Sequence, residues 1–252
     1  MTDSAPSSAD LLLGGARVFF DDGTGFRDLG NIPELSLSRA VSELEHYTTR
    51  SGKRLLDKTL ITETKLGLNF KIDNFDALNL NDILYGGGVA DASYTAGSAV
   101  DEAHTTPSKL DRYLFTVKNN ISNVVVTGTS GTPTYVKDTD YEETDLALGI
   151  IKIISGGTIT ASLAIEIDYD YTAGTRNKVQ PGKTFTIEGS ARLEFLTQSG
   201  SPLTWVIYKA ALKVEGDTDL SSENWSVADM KIEILSDDAG NPTEPYGYVL
   251  EG

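Results

Sequence analysis

An alternation of apolar and polar residues with a period of two runs through most of this chain. It is clearest in residues 60–73, where two sets alternate strictly: Leu66, Leu68, Phe70 and Ile72 with Lys65, Gly67, Asn69 and Lys71. Successive side chains of a β-strand point to opposite faces of the sheet, so this stretch predicts a strand with one buried and one wet face. The same period recurs in residues 32–38, 163–171, 184–195, 205–215 and 229–235.

Only one segment has the signals of a helix. Residues 74–85 are preceded by Asp73, and either Asp73 or Asn74 can cap the first turn. Gly86 follows and can adopt the left-handed conformation that ends many helices. With about ten strand segments around it, this helix makes the predicted fold class all-β with one short α-helix.

The strand segments fall into two composition zones, which predict a domain interrupted by an insert. Residues 1–112, of which 1–12 are expected to be flexible, form the first part of a core domain. Residues 113–172 hold many short strands separated by Gly, Ser, Thr and Asp turns, and predict a small inserted β subdomain. Residues 173–252 complete the core. Residues 87–107 have few large apolar side chains and are predicted to be a long loop.

Composition excludes several classes of function. The net charge is −16, which disfavours tight binding of nucleic acid through its phosphates. The chain has no Cys and two His, too few for a disulfide, a thiolate metal site or a His-rich zinc site. No apolar run approaches the roughly 20 residues that span a bilayer. We therefore expect no cofactor and no membrane partner.

The charge is distributed unevenly along the chain. Residues 215–252 hold ten acidic residues against Lys231 alone. Residues 46–58 have the opposite balance, with Arg50, Lys53, Arg54 and Lys58 against Asp57. A basic segment on an acidic chain favours contact with a second copy of the same subunit.

Apparent catalytic motifs have simpler interpretations. The glycines at 86–88 follow a helix end, whereas a phosphate loop precedes a helix. The run Asp237, Asp238, Gly240 and Asn241 lacks calcium-loop spacing and predicts a turn. His46 and His104 are predicted to be exposed loop residues, and no G-x-S-x-G nucleophile motif is present.

Paired carboxylates could serve a glycoside hydrolase, and the candidates are Glu142 with Glu143 and Glu166 with Asp168. Neighbouring residues on a strand face opposite ways, and carboxylates are abundant in an acidic chain. The acidic face of Glu166, Asp168 and Asp170 is therefore predicted to be solvated. The sequence favours a protein that is not an enzyme.

A family resemblance is carried by residues 29–86. A strand at 32–38 is followed by a Glu-x-Glu-His-Tyr element, a Ser-Gly loop, a Thr-Glu-Thr strand and a helix ending in Tyr-Gly. The matching residues are Glu43, Glu45, His46 and Tyr47, then Ser51 and Gly52, then Thr62, Glu63 and Thr64, then Tyr85 and Gly86. In this order and spacing the segment resembles the tail-tube proteins, or major tail proteins, of bacteriophages with long non-contractile tails.

The second zone is similar to a β insert common in phage structural proteins. The shared succession is Tyr135, Asp140 with Tyr141, Gly149 with Ile151, and Asp168 with Tyr169. The pattern usually has a glycine near Ala161 and Ser162, and this chain has none there.

The resemblance implies a tail-tube type β-sandwich whose inner sheets join into a barrel. Six subunits would form a ring, and stacked rings would form a hollow tube through which double-stranded DNA passes without specific binding. The implied partners are further copies of the chain, a tape measure protein and a tail terminator. The implied location is the virion tail, after assembly in the host cytoplasm.

These expectations assign roles to particular residues. The lumen should be lined by a polar strand face with net negative potential, with these candidates: Glu188, Glu194, Lys65, Lys71 and Arg192. An extended inter-ring loop carrying Arg50, Lys53, Arg54 and Lys58 should dock on an acidic surface of the next ring. The alternative function is a carbohydrate-binding or adhesive β module of a virion surface. Trp205 and Trp225, 20 residues apart, give that alternative little aromatic surface.

Overall fold

A computed structural model of the chain describes residues 13–50, 52–199, 202–218, 220 and 225–251. The predicted flexible segment 1–12 lies outside these residues. Within them the protein is all-β with one short α-helix. The chain divides into two compact units, the first comprising Met1–Val89 with Val179–Gly252 and the second Ala90–Lys178.

The strands of the first unit are β1 (Leu13–Asp21), β2 (Arg27–Asp28), β3 (Leu35–Thr48), β4 (Leu55–Ile72), β13 (Ile187–Ser199), β14 (Leu203–Val214), β15 (Ala228–Leu235) and β16 (Tyr248–Glu251). The strands of the second unit are β6 (Gly97–Thr105), β7 (Arg112–Phe115), β8 (Ile121–Gly128), β9 (Tyr141–Asp145), β10 (Ile150–Ile153) and β11 (Ala164–Tyr171). Two short strands at the unit boundary, β5 (Val89–Asp91) and β12 (Asn177–Val179), pair with each other.

The first unit is built on one eight-stranded sheet in the order β2-β1-β13-β14-β15-β4-β3, with β16 also paired to β14. The predicted alternation places Leu68, Phe70 and Ile72 of β4 on its buried face. They align with the buried residues Ile232, Met230 and Ala228 of β15. One apolar face therefore runs across the sheet and forms the core of this unit.

Helix α1 (Ala77–Ile83) is shorter than the predicted 74–85. Asp76, not Asp73 or Asn74, caps it, since its side chain accepts a hydrogen bond of 2.7 Å from the Asn79 backbone N–H. Tyr85, with a φ of 49°, takes the left-handed position expected of Gly86. Gly86 is needed for a different reason, because a Cβ there would lie 2.2 Å from the Asn81 side-chain oxygen.

Strands β3 and β4 extend beyond the rest of the sheet as a two-stranded arm. The register of β15 with β4 covers only Leu66 to Ile72, so the preceding part of β4 pairs with β3 alone. At roughly 3.3 Å per residue this part is about 35 Å long. The prediction of an extended loop at 46–58 was wrong, because strand pairing continues to Thr48 and resumes at Leu55. Two bulges in β4 interrupt the alternation there and hide the strand in the sequence.

The second unit contains two three-stranded sheets, ordered β6-β11-β8 and β7-β10-β9, with a core of its own. Its bounds differ from the predicted insert of 113–172, and the prediction of a loop at 87–107 was wrong, because β6 pairs along β11. The apolar residues of β6 are the small Ala99, Val100 and Ala103. Backbone pairing holds such a strand in place and leaves little trace in side-chain composition.

The residues of the predicted insert pattern have structural roles in this unit. Tyr135, Tyr141, Ile151 and Tyr169 are buried in its core. Where the pattern lacks its glycine, Ser162 adopts a φ of 56° and makes the turn. A small polar residue thus adopts the left-handed backbone conformation for which Gly is usually required.

Asp140 holds together the loops of the second unit. Its side chain accepts hydrogen bonds from the Val136 N–H at 2.7 Å, the Thr158 N–H at 2.5 Å and the Thr158 hydroxyl at 2.8 Å. Burial raises the pKa of Asp140, but these donors outweigh it and hold the pKa below its usual range.

We expect Asp140→Asn to lower the free energy of unfolding of the second unit by about 1–3 kcal/mol, because an amide group would face N–H donors. A carboxylate whose pKa is lowered by folding stabilises above its unfolded pKa of about 3.9 and loses this effect as the pH falls through the folded value. The difference from the unsubstituted protein should therefore be full at pH 7 and shrink on acidification. Urea unfolding at several pH values, with the exposed Asp138→Asn as the control, measures it; equal loss in both variants would contradict the assignment.

Candidate assembly surfaces

The five predicted lumen residues lie on one face of the eight-stranded sheet, opposite the core. Glu188 of β13 aligns with Ala211 of β14, Ala211 with Glu233 of β15, and Glu233 with Gly67 of β4. Aligned residues of neighbouring strands share a face, and so do residues two, four or six apart on a strand. The row therefore brings the remaining candidates to the same face: Arg192, Glu194, Lys65 and Lys71.

This outer face carries charges of both signs. The basic side chains are Arg17, Lys65, Lys71, Arg192, Lys209, Lys213 and Lys231; the acidic ones are Asp21, Asp28, Glu34, Glu63, Glu188, Glu194, Glu215, Asp229 and Glu233. That this face lines a lumen of net negative potential stays a prediction. Acidic residues are abundant in the chain, but on this face most lie beside a Lys or Arg.

Ion pairs hold much of this face in a fixed arrangement. The shortest contacts are Lys213–Glu233 at 2.5 Å, Arg192–Glu194 at 2.9 Å, and Lys71–Glu34 and Lys231–Glu215, both at 3.0 Å. The hydrogen bond from Lys213 lowers the pKa of Glu233. The hydrogen bond to Glu34 raises the pKa of Lys71. The face therefore presents a mosaic of paired opposite charges.

The four predicted inter-ring residues lie together at the tip of the arm. Arg50, Lys53 and Arg54 belong to the connection between β3 and β4, and Lys58 is in β4, aligned with His46. The Arg54 guanidinium lies 4.1 Å from the centre of the Tyr47 ring, a cation–π contact. Within the described part of the chain, none of the four forms a salt bridge. The tip is thus a basic cluster available to an acidic partner.

Exposed apolar side chains cover both faces of the arm, a feature that was not predicted from the sequence. Leu44 and Leu60 are aligned on one face, 63% and 55% exposed. The other face holds Val41, Leu56 and Ile61, each more than 40% exposed. A two-stranded hairpin alone in water is at most marginally stable, and contiguous exposed apolar surface marks an interaction site. In the sequence, this surface is indicated by Leu or Ile residues that fall on both faces of the strand pair.

The eight-stranded sheet also has two open edges. No strand of the described residues covers the outer side of β3, and β1 pairs with β2 only at Phe19 and Phe20. The Lys71 N–H donates to the Glu34 carbonyl at 3.0 Å, so the hydrogen-bonding alternation directs the backbone groups of Leu37 outward. Such edges are templates for pairing with another chain.

The other candidate residues have ordinary structural partners. His104 is not an exposed loop residue as predicted, since it lies in β6 with its Nε2 2.7 Å from Glu102. Glu142 and Glu143 lie near Lys152 and Lys137, at 3.9 and 2.5 Å. Glu166 and Asp168 are half-buried and accept backbone hydrogen bonds. The segment from Asp237 to Asn241 forms a turn.

The described residues contain no group of three or more His, Asp or Glu side chains placed to hold a metal ion. They also contain no helix with the length and apolar character needed to cross a membrane.

The fold and its surfaces define a two-unit β protein with open sheet edges and a protruding, partly apolar arm. The chain belongs to the family described as Protein of unknown function UCP028589, whose family model matches residues 15–248. A comparison with curated proteins found no match.

Proposed function

We propose that this chain is a self-assembling subunit of a bacteriophage tail tube. The observation that carries the proposal is the single eight-stranded sheet of the first unit, open at both edges. Pairing of β3 in one subunit with β1 in the next would continue the sheet around a ring and remove both edges. The resemblance of residues 29–86 to tail-tube proteins supports the same arrangement and implies six subunits in the ring.

In this arrangement the outer face of the sheet would line the lumen. Its ion-paired mosaic suits a DNA conduit, because phosphates meet neither a strongly attractive nor a strongly repulsive wall. A tape measure protein would occupy the lumen before DNA, and a tail terminator would close the tube. Neither role requires catalysis or a cofactor.

The arm would contact the neighbouring ring. Its length carries it beyond the rest of the sheet, its apolar residues need a partner, and its basic tip matches the acidic composition of residues 215–252. Each exposed charge pair contributes only about 0.2–1 kcal/mol, but ring symmetry repeats every pair around the interface.

The alternative of a carbohydrate-binding module gains no support from the two tryptophans. Trp205 packs against the core of the first unit, and Trp225 is 92% exposed. A sugar-stacking platform needs aromatic rings side by side. These two do not form one.

Electron microscopy of the purified protein tests the proposal directly. Rings, or tubes with a central channel, are the expected result. Compact particles that remain monomeric over a wide range of concentration and salt would refute it.

Substitution of exposed leucines in the arm tests whether the arm contributes to assembly. We expect Leu44→Ser with Leu60→Ser to leave the fold intact, because both side chains are already exposed, and to raise the concentration at which tubes appear by at least about tenfold. Burying each leucine against a neighbour is worth about 1.5–3 kcal/mol. Light scattering against protein concentration measures the threshold. Leu148→Ser, a change at a similarly exposed leucine of the second unit, is the control; an unchanged threshold in the arm variant would contradict the role of the arm.

A further inference from the structure

Strand β7 is an open edge of the second unit with exposed apolar side chains. Tyr113 and Phe115 are 50% and 64% exposed, and Val117, just past the strand, is 66% exposed. The strand pairs on one side only, with β10. Proteins usually guard such an edge with Lys, Pro or a covering loop. Between Tyr113 and Val117 there is no charged residue and no proline.

The hydrogen-bonding pattern shows which backbone groups of β7 are directed outward. The Thr116 N–H donates to the Gly149 carbonyl at 2.9 Å, and β7 keeps a regular register with β10. Inward and outward positions alternate along a strand, so Leu114 and Arg112 also bond towards β10. The N–H and C=O groups of Tyr113 and Phe115 therefore point to the open side. They have no partner among the described residues.

We propose that β7 pairs antiparallel with the β7 strand of a second copy of this chain. A register centred on Leu114 places Tyr113 of each copy opposite Phe115 of the other. These are hydrogen-bonded positions, so all four outward groups of each strand find partners. The same register forms two cross-strand aromatic pairs, which are favourable on a sheet face. No other antiparallel self-pairing satisfies both the backbone groups and the aromatic side chains.

The surface beside the strand extends this contact. Ile150 aligns with Phe115 on the same face, so the joined sheets would present a continuous apolar strip across the two-fold axis. The contact is isologous, with the same residues contributed by both copies. Two strands of this length bury less than the roughly 1,200 Å² below which interfaces are weak or transient. The pairing is therefore expected to exchange rapidly.

Covalent trapping tests the register on the full chain, which has no native Cys. Tyr113→Cys and Phe115→Cys proteins are prepared separately and oxidised under mild conditions, alone and as an equimolar mixture. In the proposed register the two cysteines lie opposite each other with Cα atoms about 5.5 Å apart, inside the disulfide range of about 4.4–6.8 Å. Identical cysteines are a diagonal step apart, about 7–8 Å.

We expect the mixture to give several times more disulfide-linked dimer than either variant alone. Equal yields in all three samples, or no dimer in the mixture, would overturn the proposal. Phe115→Lys, measured by sedimentation velocity against the exposed control Val136→Lys, should lower the dimer fraction at least about tenfold; equal association of both variants would also overturn it. Neither readout depends on tube formation, so this proposal and the tube proposal can fail separately.

Discussion

Reversing the basic residues at the arm tip should stop tubes from elongating while leaving the subunit folded. The variant is Arg50→Glu with Lys53→Glu and Arg54→Glu. All three residues lie in the connection at the end of the arm, outside the sheet ladder and distant in sequence from the core residues. In the proposed assembly each ring presents this cluster to an acidic surface of the next ring. The reversal turns every repeated attraction into a repulsion, so the loss should be complete.

The melting temperature should fall by no more than about 3 °C, because the variant loses only surface interactions and the Arg54–Tyr47 contact. Electron microscopy and circular dichroism on one sample measure both results. A control with the same change in net charge reverses three exposed lysines elsewhere: Lys109, Lys178 and Lys183. If the arm-tip variant forms normal tubes, or if the control loses tubes equally, the docking of the tip is refuted.

Salt provides an independent check on the same contact. Exposed charges more than about 8 Å apart are screened at physiological ionic strength. Attraction between the tip and an acidic surface should therefore weaken steadily as salt is added, whereas apolar contacts of the arm should not. Tubes that lengthen in high salt would indicate that apolar burial outweighs the charges.

The parts of the fold that the sequence predicted are those in which the side chains carry the signal. Residues 66–72 alternate strictly because one face of β4 packs into the core and the other is wet. The same alternation of side chains places five residues on one face: Lys65, Lys71, Glu188, Arg192 and Glu194. What it could not give was the pairing of opposite charges across that face, since this depends on which strands become neighbours, and β13 and β4 are separated by two strands.

Other features of the fold could not be predicted because backbone hydrogen bonding, and not the side-chain pattern, determines them. The arm was predicted as a loop because its bulges disturb the period and its apolar residues fall on both faces. Strand β6 was missed because its pairing with β11 needs no large side chain. Helix α1 begins later than predicted because Asp73, Asn74 and Asp76 can all cap a helix. Only the packing of Asn79 selects among them, since its side chain donates 2.9 Å hydrogen bonds to the Leu29 and Asn74 carbonyls.

A proline at the open edge of β3 should prevent rings from forming at all. Leu37 is 59% exposed, and its backbone N–H points away from β4. Leu37→Pro removes that donor and adds a ring where a neighbouring strand would lie, but it breaks no hydrogen bond within the sheet. If β3 pairs with β1 of the next subunit, rings and tubes are both lost. The arm-tip variant should still form rings, because its substitutions affect only the stacking of one ring on the next.

Leu37→Ala is the matched control, since it removes the same side chain and keeps the N–H. It should form rings, whereas Leu37→Pro should stay folded, with a circular dichroism spectrum close to that of the unsubstituted protein, and should form nothing larger than the dimer paired through β7 in sedimentation velocity. Ser38→Pro supplies the opposite control. Ser38 aligns with Gly67, and its backbone groups bond to β4, so a proline there should disrupt the fold itself. Rings formed by Leu37→Pro would show that the edge of β3 is not the site of assembly, and the continuous barrel would have to be abandoned.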